Sequence, residues 1–469
     1  MHDLAEAHAA VVVWFRRDLR LTDHPALTEA VRSAGSVIPL FVLDERLLAG
    51  AAPARTWYLR GALAELASAL RARGSGLLIR TGDPATVVAD VARAYDAHAV
   101  LATRDVTPYS HRRDGDVAAA LEREGRTLKI RSGLLLAEPE SVATSAGTPY
   151  GVFTPFWRAL QGLPRRPLLP APASIASPST LHEGATGIAL EGAPLPDLPS
   201  PGESAALERL EAWARSGLAG YGEDRDVLAG EATSHLGADL HFGTLSPLQV
   251  ESAALDADVD ATAFVRQLAW REFYHHQLFH RRTQRQVPSS PLMAAFRREA
   301  DEPEAVRAWR QGRTGVPVVD AGMRQLAATG WLSNRARLVV ASFLTRHLLM
   351  DYRIGERHFM RHLLDGDVAN NRGGWTWTAG VGADAQPWFR IFNPVRQGQR
   401  FDPGGTWVRR WVPELRDVED RHVHAPWEAP TPPADYPAPV VDLGWGRARA
   451  LAAFKTATGG DAPRGERAP

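Results

Sequence analysis

The sequence predicts an α/β plus all-α fold. An amino-terminal domain is built as a doubly wound parallel sheet, a long linker follows, and the rest of the chain is helical. Three observations predict it. Short β-type runs alternate with helical runs as far as residue 132, the pattern of a parallel sheet covered on both faces. From Ala137 to Ser200 the composition shifts to Pro, Ser, Gly and Ala with little periodicity. From Glu203 onward the apolar spacing is helical. The expected division is therefore 1–132, 133–202 and 203–469.

In chain order, Ala10–Phe15, Val37–Leu43, Leu77–Arg80, His98–Ala102 and Thr127–Ile130 read as strands. The clearest helix between them is Thr56–Arg73, with Leu59, Leu63, Leu66 and Leu70 at helical spacing. Beyond the linker, Ser246-Pro247 is a helix start, with Ser as cap and Pro at the first helical position. Ala261–His280, Val318–Thr329, Ser333–Leu349 and Glu356–Leu364 read as further helices. Eleven of the 14 tryptophans lie after residue 210.

At 469 residues two domains are expected. No run of about 18 uninterrupted apolar residues occurs, which argues against a membrane span. Met1–Ala10 carries two acids and no Arg or Lys, unlike a secretory signal, so a cytoplasmic protein is expected. The absence of cysteine excludes disulfides, thiolate zinc sites and cysteine-ligated iron–sulfur clusters. Redox chemistry would have to come from an organic cofactor or from aromatic side chains, and no metal is expected. Formal net charge is zero, yet Val265–His362 holds 17 Arg, no Lys and 8 acids, an excess of 9 positive charges. Such a stretch is either an ion-paired helix surface or a phosphate-binding face, and charge alone does not separate them.

The run Trp14-Phe15-Arg16-Arg17-Asp18-Leu19-Arg20-Leu21-Thr22-Asp23-His24 follows the first strand without a Gly-x-Gly-x-x-Gly phosphate loop. Taken alone it is an arginine cluster pairing with Asp18 and Asp23. Together with Thr233-Ser234-His235-Leu236, Trp270-Arg271-Glu272-Phe273-Tyr274 and the segment Trp331–Pro394, it resembles the DNA photolyase and cryptochrome family. The likeness runs from Val11 to about Trp427 and is strongest to the bacterial class I cyclobutane pyrimidine dimer photolyases. It implies an α/β antenna domain, a linker and an all-helical domain that binds FAD and DNA.

The resemblance also assigns residues. Tyr221, Thr233, Ser234, His235, Leu236 and Gly237 fall on the FAD pyrophosphate clamp, where the usual pattern is Thr-Ser-Arg-Leu-Ser. His235 and Gly237 depart from it, and one hydroxyl is lost. Arg271 belongs to the same cofactor set. Asp365, Asp367 and Asn371 fall on the loop around the flavin ring, and Arg337 on the arginine that pairs with the first aspartate. An amide at Asn371 is compatible with both protonated and anionic reduced flavin.

Trp270 and Trp377 fall on the two indoles that hold a flipped pyrimidine dimer, where aromatic faces replace lost base stacking. Asn334 falls on the amide that bonds the dimer's bases, and Arg335 and Arg390 on phosphate-side arginines. For (6-4) photoproducts the family uses a His-x3-His pair at this place. Asn334 and Leu338 stand there instead, so a cyclobutane dimer is the expected substrate. Gln267 replaces a customary glutamate and cannot supply a proton or a negative charge. The expected activity is blue-light-driven repair by electron transfer from reduced FAD, a deoxyribodipyrimidine photo-lyase reaction, with UV-damaged DNA as partner and a monomeric protein.

Trp375 falls on the flavin-proximal member of the family's electron relay, but Tyr352 and Glu299 replace its other two tryptophans. Another route, through Trp309 or Trp331, is the alternative. Asp105-Val106-Thr107-Pro108-Tyr109 resembles the deazaflavin type of antenna site, with Asp44, Arg55 and Asp105 as polar contacts; a folate (methenyltetrahydrofolate) is the alternative chromophore. Rival readings are a cryptochrome-like photoreceptor without repair, a photolyase for another photoproduct, and a light-independent nucleotide-binding protein. The last leaves the Trp-rich helical part unexplained.

Overall fold

The computed structural model describes residues 10–179, 181, 184–185, 198–230, 232–281, 290–387 and 389–459. Most of the Met1–Ala10 terminus and part of the Ala137–Ser200 stretch, both read above from sequence, lie outside the described residues. Two compact units take up the chain. Unit 1 comprises 1–222, 234–283 and 364–369; unit 2 comprises 223–233, 284–363 and 370–469. The units follow packing where the sequence division followed composition, so segments beyond residue 203 share a unit with the sheet.

In unit 1 the sheet is all parallel, in the order β5-β4-β1-β2-β3-β6. Its strands are β1 (Ala10–Phe15), β2 (Ser36–Leu43), β3 (Leu78–Thr81), β4 (Ala97–Thr103), β5 (Thr127–Arg131) and β6 (Gly184–Ala185). The first five follow the expected runs. The two-residue β6 comes from the stretch read as linker and carries no periodicity to announce it. Alternate residues of β1 serve opposite faces, as the period of two requires. Val11, Val13 and Phe15 pack with α2 (Pro53–Arg71), whereas Val12 and Trp14 pack with α3 (Pro84–Ala94) and α4 (Pro108–Glu122); α1 (Pro25–Ser33) joins the first face. The order reverses at β1, between β4 and β2, which makes the carboxyl edge there the natural crevice for a ligand.

A second surprise in the linker stretch is α5 (Phe153–Gln161), which buries Phe153, Phe156 and Leu160. Unit 1 continues with α6 (Glu203–Ala212), α7 (Gly237–Phe242), α8 (Pro247–Leu255) and α9 (Thr262–His280). The cap expected at Ser246 is a full capping box, with Gln249 reciprocating.

Unit 2 is helical: α10 (Pro303–Gln311), α11 (Pro317–Thr329), α12 (Asn334–Ser342), α13 (Tyr352–His362), most of α14 (Val368–Ala379), α15 (Pro394–Phe401), α16 (Thr406–Trp411) and α17 (Leu443–Ala457). The helix expected over Ser333–Leu349 is α-helical only to Ser342. It then widens into a π turn over Phe343–His347, where the Leu348 N–H reaches the Phe343 carbonyl at 3.0 Å. Trp309 lies fully buried in the core of this unit, its indole N–H on the Val340 carbonyl at 3.1 Å.

Candidate functional site

The arginine-rich run after β1 is a wiring node of unit 1. Its first charge, Arg16, reaches the Thr103 carbonyl and Asp114. Arg17 donates to Asp367 at 2.6 Å and to the His241 carbonyl at 3.1 Å, and lies 3.8 Å from Asp105. Asp18 pairs with His24, and Arg20 holds three backbone carbonyls, of Asp23, Gly133 and Gly243. The second aspartate of the run, Asp23, pairs with Arg166.

Asp367 also lies 3.3 Å from His275 Nε2. Burial alone would raise its pKa, but His275 and Arg17 together hold the carboxyl well below the usual range. His275 Nδ1 faces the Arg271 carbonyl, which can only accept, so the ring donates there and keeps Nε2 toward the carboxylate. Burial lowers His241 to about 3, with Arg17, Asp367, Arg55 and Asp105 acting on it.

Asp365 packs against Gly237 at the start of α7. A Cβ on Gly237 would stand 2.6 Å from Asp365 Oδ2, so glycine is what lets the carboxylate come that close. Where the usual pattern has a hydroxyl, this position thus gives a close approach. Before it, His235 adopts a left-handed φ of 54°, and Ser234 Oγ accepts from the Leu236 N–H. Tyr221 is wedged edge-on against Trp213 and Phe264. Arg271 is buried, bonded to Glu272 at 2.9 Å and to the Leu134 carbonyl. Thr233 falls in unit 2.

Trp270, half-buried on α9, stacks on Phe153 with ring centroids 3.9 Å apart and planes 6° from parallel. Phe273 and Tyr274 close its other sides, and Arg266 lies over the far ring of the stack. Gln267 is half-buried, one turn before Trp270. Phe153 was missed by the sequence reading. Its signal was the helical spacing of Phe153, Phe156 and Leu160 within an otherwise loop-like composition.

In unit 2, Asn334 is exposed at the first position of α12 behind its Ser333 cap, with Leu338 one turn on. Arg335 is held by Asp226 at 2.6 Å and lies over Phe401. Arg337 donates to the Leu332 carbonyl, and Arg390 is exposed. Asn371 is buried, its Nδ2 on the Glu356 carbonyl at 2.9 Å. That bond orients the amide and leaves Oδ1 as an acceptor. Trp375 is buried edge-on against Phe359 (5.1 Å) and Trp309 (6.1 Å). Tyr352 is buried at the start of α13, where burial and Glu356 raise its pKa, and Glu299 is paired with Arg310.

The three expected antenna residues have different protein partners. Asp44 caps the turn Glu45–Leu48 and binds Arg46 and Tyr109. Asp105 and Arg55 belong instead with Arg17 and His241, and Arg55 also feels Asp365. Between these groups Arg113 lies over both Trp14 and Tyr109 at the carboxyl edge of the sheet.

The residues present suit a flavin dinucleotide on chemical grounds. The Asn371 amide oxygen and the carboxylates of Asp365 and Asp367 are acceptors, the type that the N–H groups of a flavin ring and the hydroxyls of its side chain call for.

Comparison with known proteins agrees. Residues 11–173 match the family described as DNA photolyase, and residues 264–456 the FAD binding domain of DNA photolyase. A deoxyribodipyrimidine photo-lyase of Agrobacterium fabrum is 40% identical, covering 95% of this chain and 98% of that one. Among solved structures, a bacterial class III photolyase from Agrobacterium tumefaciens superposes with a TM-score of 0.88 at 38% identity, covering 96% of this chain and 98% of that one. A Synechocystis cryptochrome follows with a TM-score of 0.83 at 30% identity, covering 95% and 99%. The sheet, the helical carboxyl part and full-length identity of this order lead to one conclusion: the chain belongs to the DNA photolyase family.

Proposed function

We propose that the protein repairs cyclobutane pyrimidine dimers in DNA under blue light. The observation that carries this reading is the seat of Trp270. A half-exposed indole is locked on a parallel Phe153 ring, which offers a rigid π-face to a base taken out of its stack. Trp377 offers the second indole. Asn334, exposed at a helix start, hydrogen-bonds the bases, and Arg335 and Arg390 engage flanking phosphates.

FAD, reduced and bound by Tyr221, Thr233–Gly237, Arg271, Arg337, Asp365, Asp367 and Asn371, supplies the light-driven electron. The chain's own work is to bind, to orient and to fix charge. Arg17 and His275 keep Asp367 ionised, and Glu356 orients the Asn371 amide. Little acid–base machinery is needed, which agrees with Leu338 standing where a second histidine serves (6-4) repair. Gln267 holds the lesion by hydrogen bonds without donating a proton. Trp375 with Tyr352 forms the shortened relay. A deazaflavin antenna would take its polar contacts from Asp44, Arg55 and Asp105, all in unit 1. The protein acts as a cytoplasmic monomer; among the described residues no helix is long and apolar enough to cross a membrane.

Repair of dimer-containing oligonucleotides by the reduced protein tests this, in blue light and in darkness. Dimer loss is expected only in the light. Equal loss in both would sink the function, and repair of (6-4) lesions alone would overturn the substrate.

A further inference from the structure

Trp377 lies two residues from the end of α14, and that helix end is finished in an unusual way. Its last carbonyls have no partners within the helix. The Thr376 carbonyl takes the N–H groups of Val381 and Gly382, and the Trp377 carbonyl takes those of Gly380 and Gln386. Thr378 is different. Its carbonyl accepts from the guanidinium of Arg346 at 2.8 Å.

Arg346 is fully buried and comes from the π turn, a widened geometry that is rare and tends to occur at functional places. Among the described residues no carboxylate pairs with it. Its plane instead lies 4.7 Å over the ring of Phe454 on α17. A buried cation without a counter-charge is costly, and burial alone pushes its pKa down to about 10. What it touches is the carboxyl end of a helix dipole, where a cation is favoured. Gly380, at a φ of 74°, makes room: a Cβ there would stand 3.1 Å from the guanidinium. The loop so closed runs on to Gln386, whose side chain donates to the Arg390 carbonyl.

We propose that Arg346 is a positioning residue for the damaged-DNA site, a buried cation that fixes the end of α14 and the 380–386 loop and thereby aims the Trp377 indole and Arg390. This rests on the repair reading of Trp377 and Arg390. Arg346 touches neither substrate nor cofactor; it acts through the backbone.

Two variants test it, R346Q and R346K, on the flavin-loaded full chain. Dark binding is read with one oligonucleotide carrying a cyclobutane dimer and its undamaged twin. R346Q is expected to weaken dimer binding about tenfold, since small misplacements of binding groups are costly, while undamaged DNA, which loses only the aim of the phosphate-side Arg390, weakens distinctly less. R346K, which keeps the charge and can still donate to the Thr378 carbonyl, is expected to restore most of the loss. Amide hydrogen exchange at Gly380 and Gln386 is expected to quicken in R346Q and recover in R346K. Parent-like dimer binding in R346Q, or equal loss for both DNAs, overturns the proposal. Should R346Q fail to fold, Phe454→Leu removes only the ring beneath the guanidinium. It is expected to lower the dimer preference, and an unchanged preference overturns the idea. A parent protein with no dimer preference, but with exchange that responds to R346Q, sinks the repair reading and leaves the clamp standing.

Discussion

Trp270 and Trp377 are the two indoles proposed to hold the lesion, and they are held by different physics. Trp270 sits in an aromatic box of Phe153, Phe273 and Tyr274, on the middle of a 19-residue helix. Side-chain packing sets its plane. Trp377 sits at a helix end whose direction is set by backbone hydrogen bonds and one buried guanidinium. Packed rings resist small shifts because every displacement opens a gap. A capped helix end depends on a few directional bonds, and losing one of them releases the whole turn.

The sharpest way to break the comparison is Gly380→Ala. The left-handed backbone costs a non-glycine residue about 1–2 kcal/mol, and the added methyl would press on Arg346. The expected loss is about 2 kcal/mol of local stability at the end of α14. It would be read as faster exchange of the Gln386 amide and about a tenfold weaker grip on dimer DNA, with the Trp270 box unchanged. Retained affinity would show that the 380–386 loop does not govern Trp377.

The same contrast explains what the sequence disclosed. Five strands and the Ser246 cap are carried by local patterns, and family membership by spaced motifs, so they can be read without coordinates. Phe153 was hidden because its helix sits in a Pro- and Gly-rich stretch, and its role arises from contact with a residue 117 positions away. Gly237 looked like a lost hydroxyl until Asp365 was seen against it. The antenna residues are named by family position as contacts of a ligand, which says nothing about their protein partners; Asp44 binds Arg46 and Tyr109, and the charge of Asp365 acts on Arg55. Arg346 gave no signal, since one arginine among the many of its stretch is indistinguishable until burial singles it out.

Acid offers a second, smaller lever on the Trp270 side. His276, six residues after Trp270, is buried edge-on against Phe156 and bonded to the Ala137 carbonyl. Burial lowers its pKa to about 3, with His275 and His280 opposing its charge and Glu140 favouring it. The unfolded chain binds its proton near pH 6.5 and the folded chain does not. The histidine's contribution is therefore full above about pH 6.5 and is lost as pH falls toward 3, at about 1.4 kcal/mol per pH unit. Arg346 stays protonated throughout this range. Urea unfolding at several pH values should show that slope, and His276→Gln should remove about 1.4 kcal/mol per unit of it. An unchanged slope would mean that the ring is already protonated in the folded protein.

The smallest expected effect is the most discriminating. Phe153→Leu keeps an apolar side chain beneath Trp270 but removes the parallel ring, a contact worth about 0.5–1.5 kcal/mol beyond its area. If the box holds Trp270 by ring-on-ring stacking, dimer affinity should fall about twofold to tenfold. Undamaged DNA should bind as before, and the exchange of Gln386 should not change. If affinity is untouched, Phe273 and Tyr274 suffice to seat the indole. The two lesion residues would then differ less than their surroundings suggest, because the Trp270 box would contain a redundancy that the single cation at the end of α14 does not have.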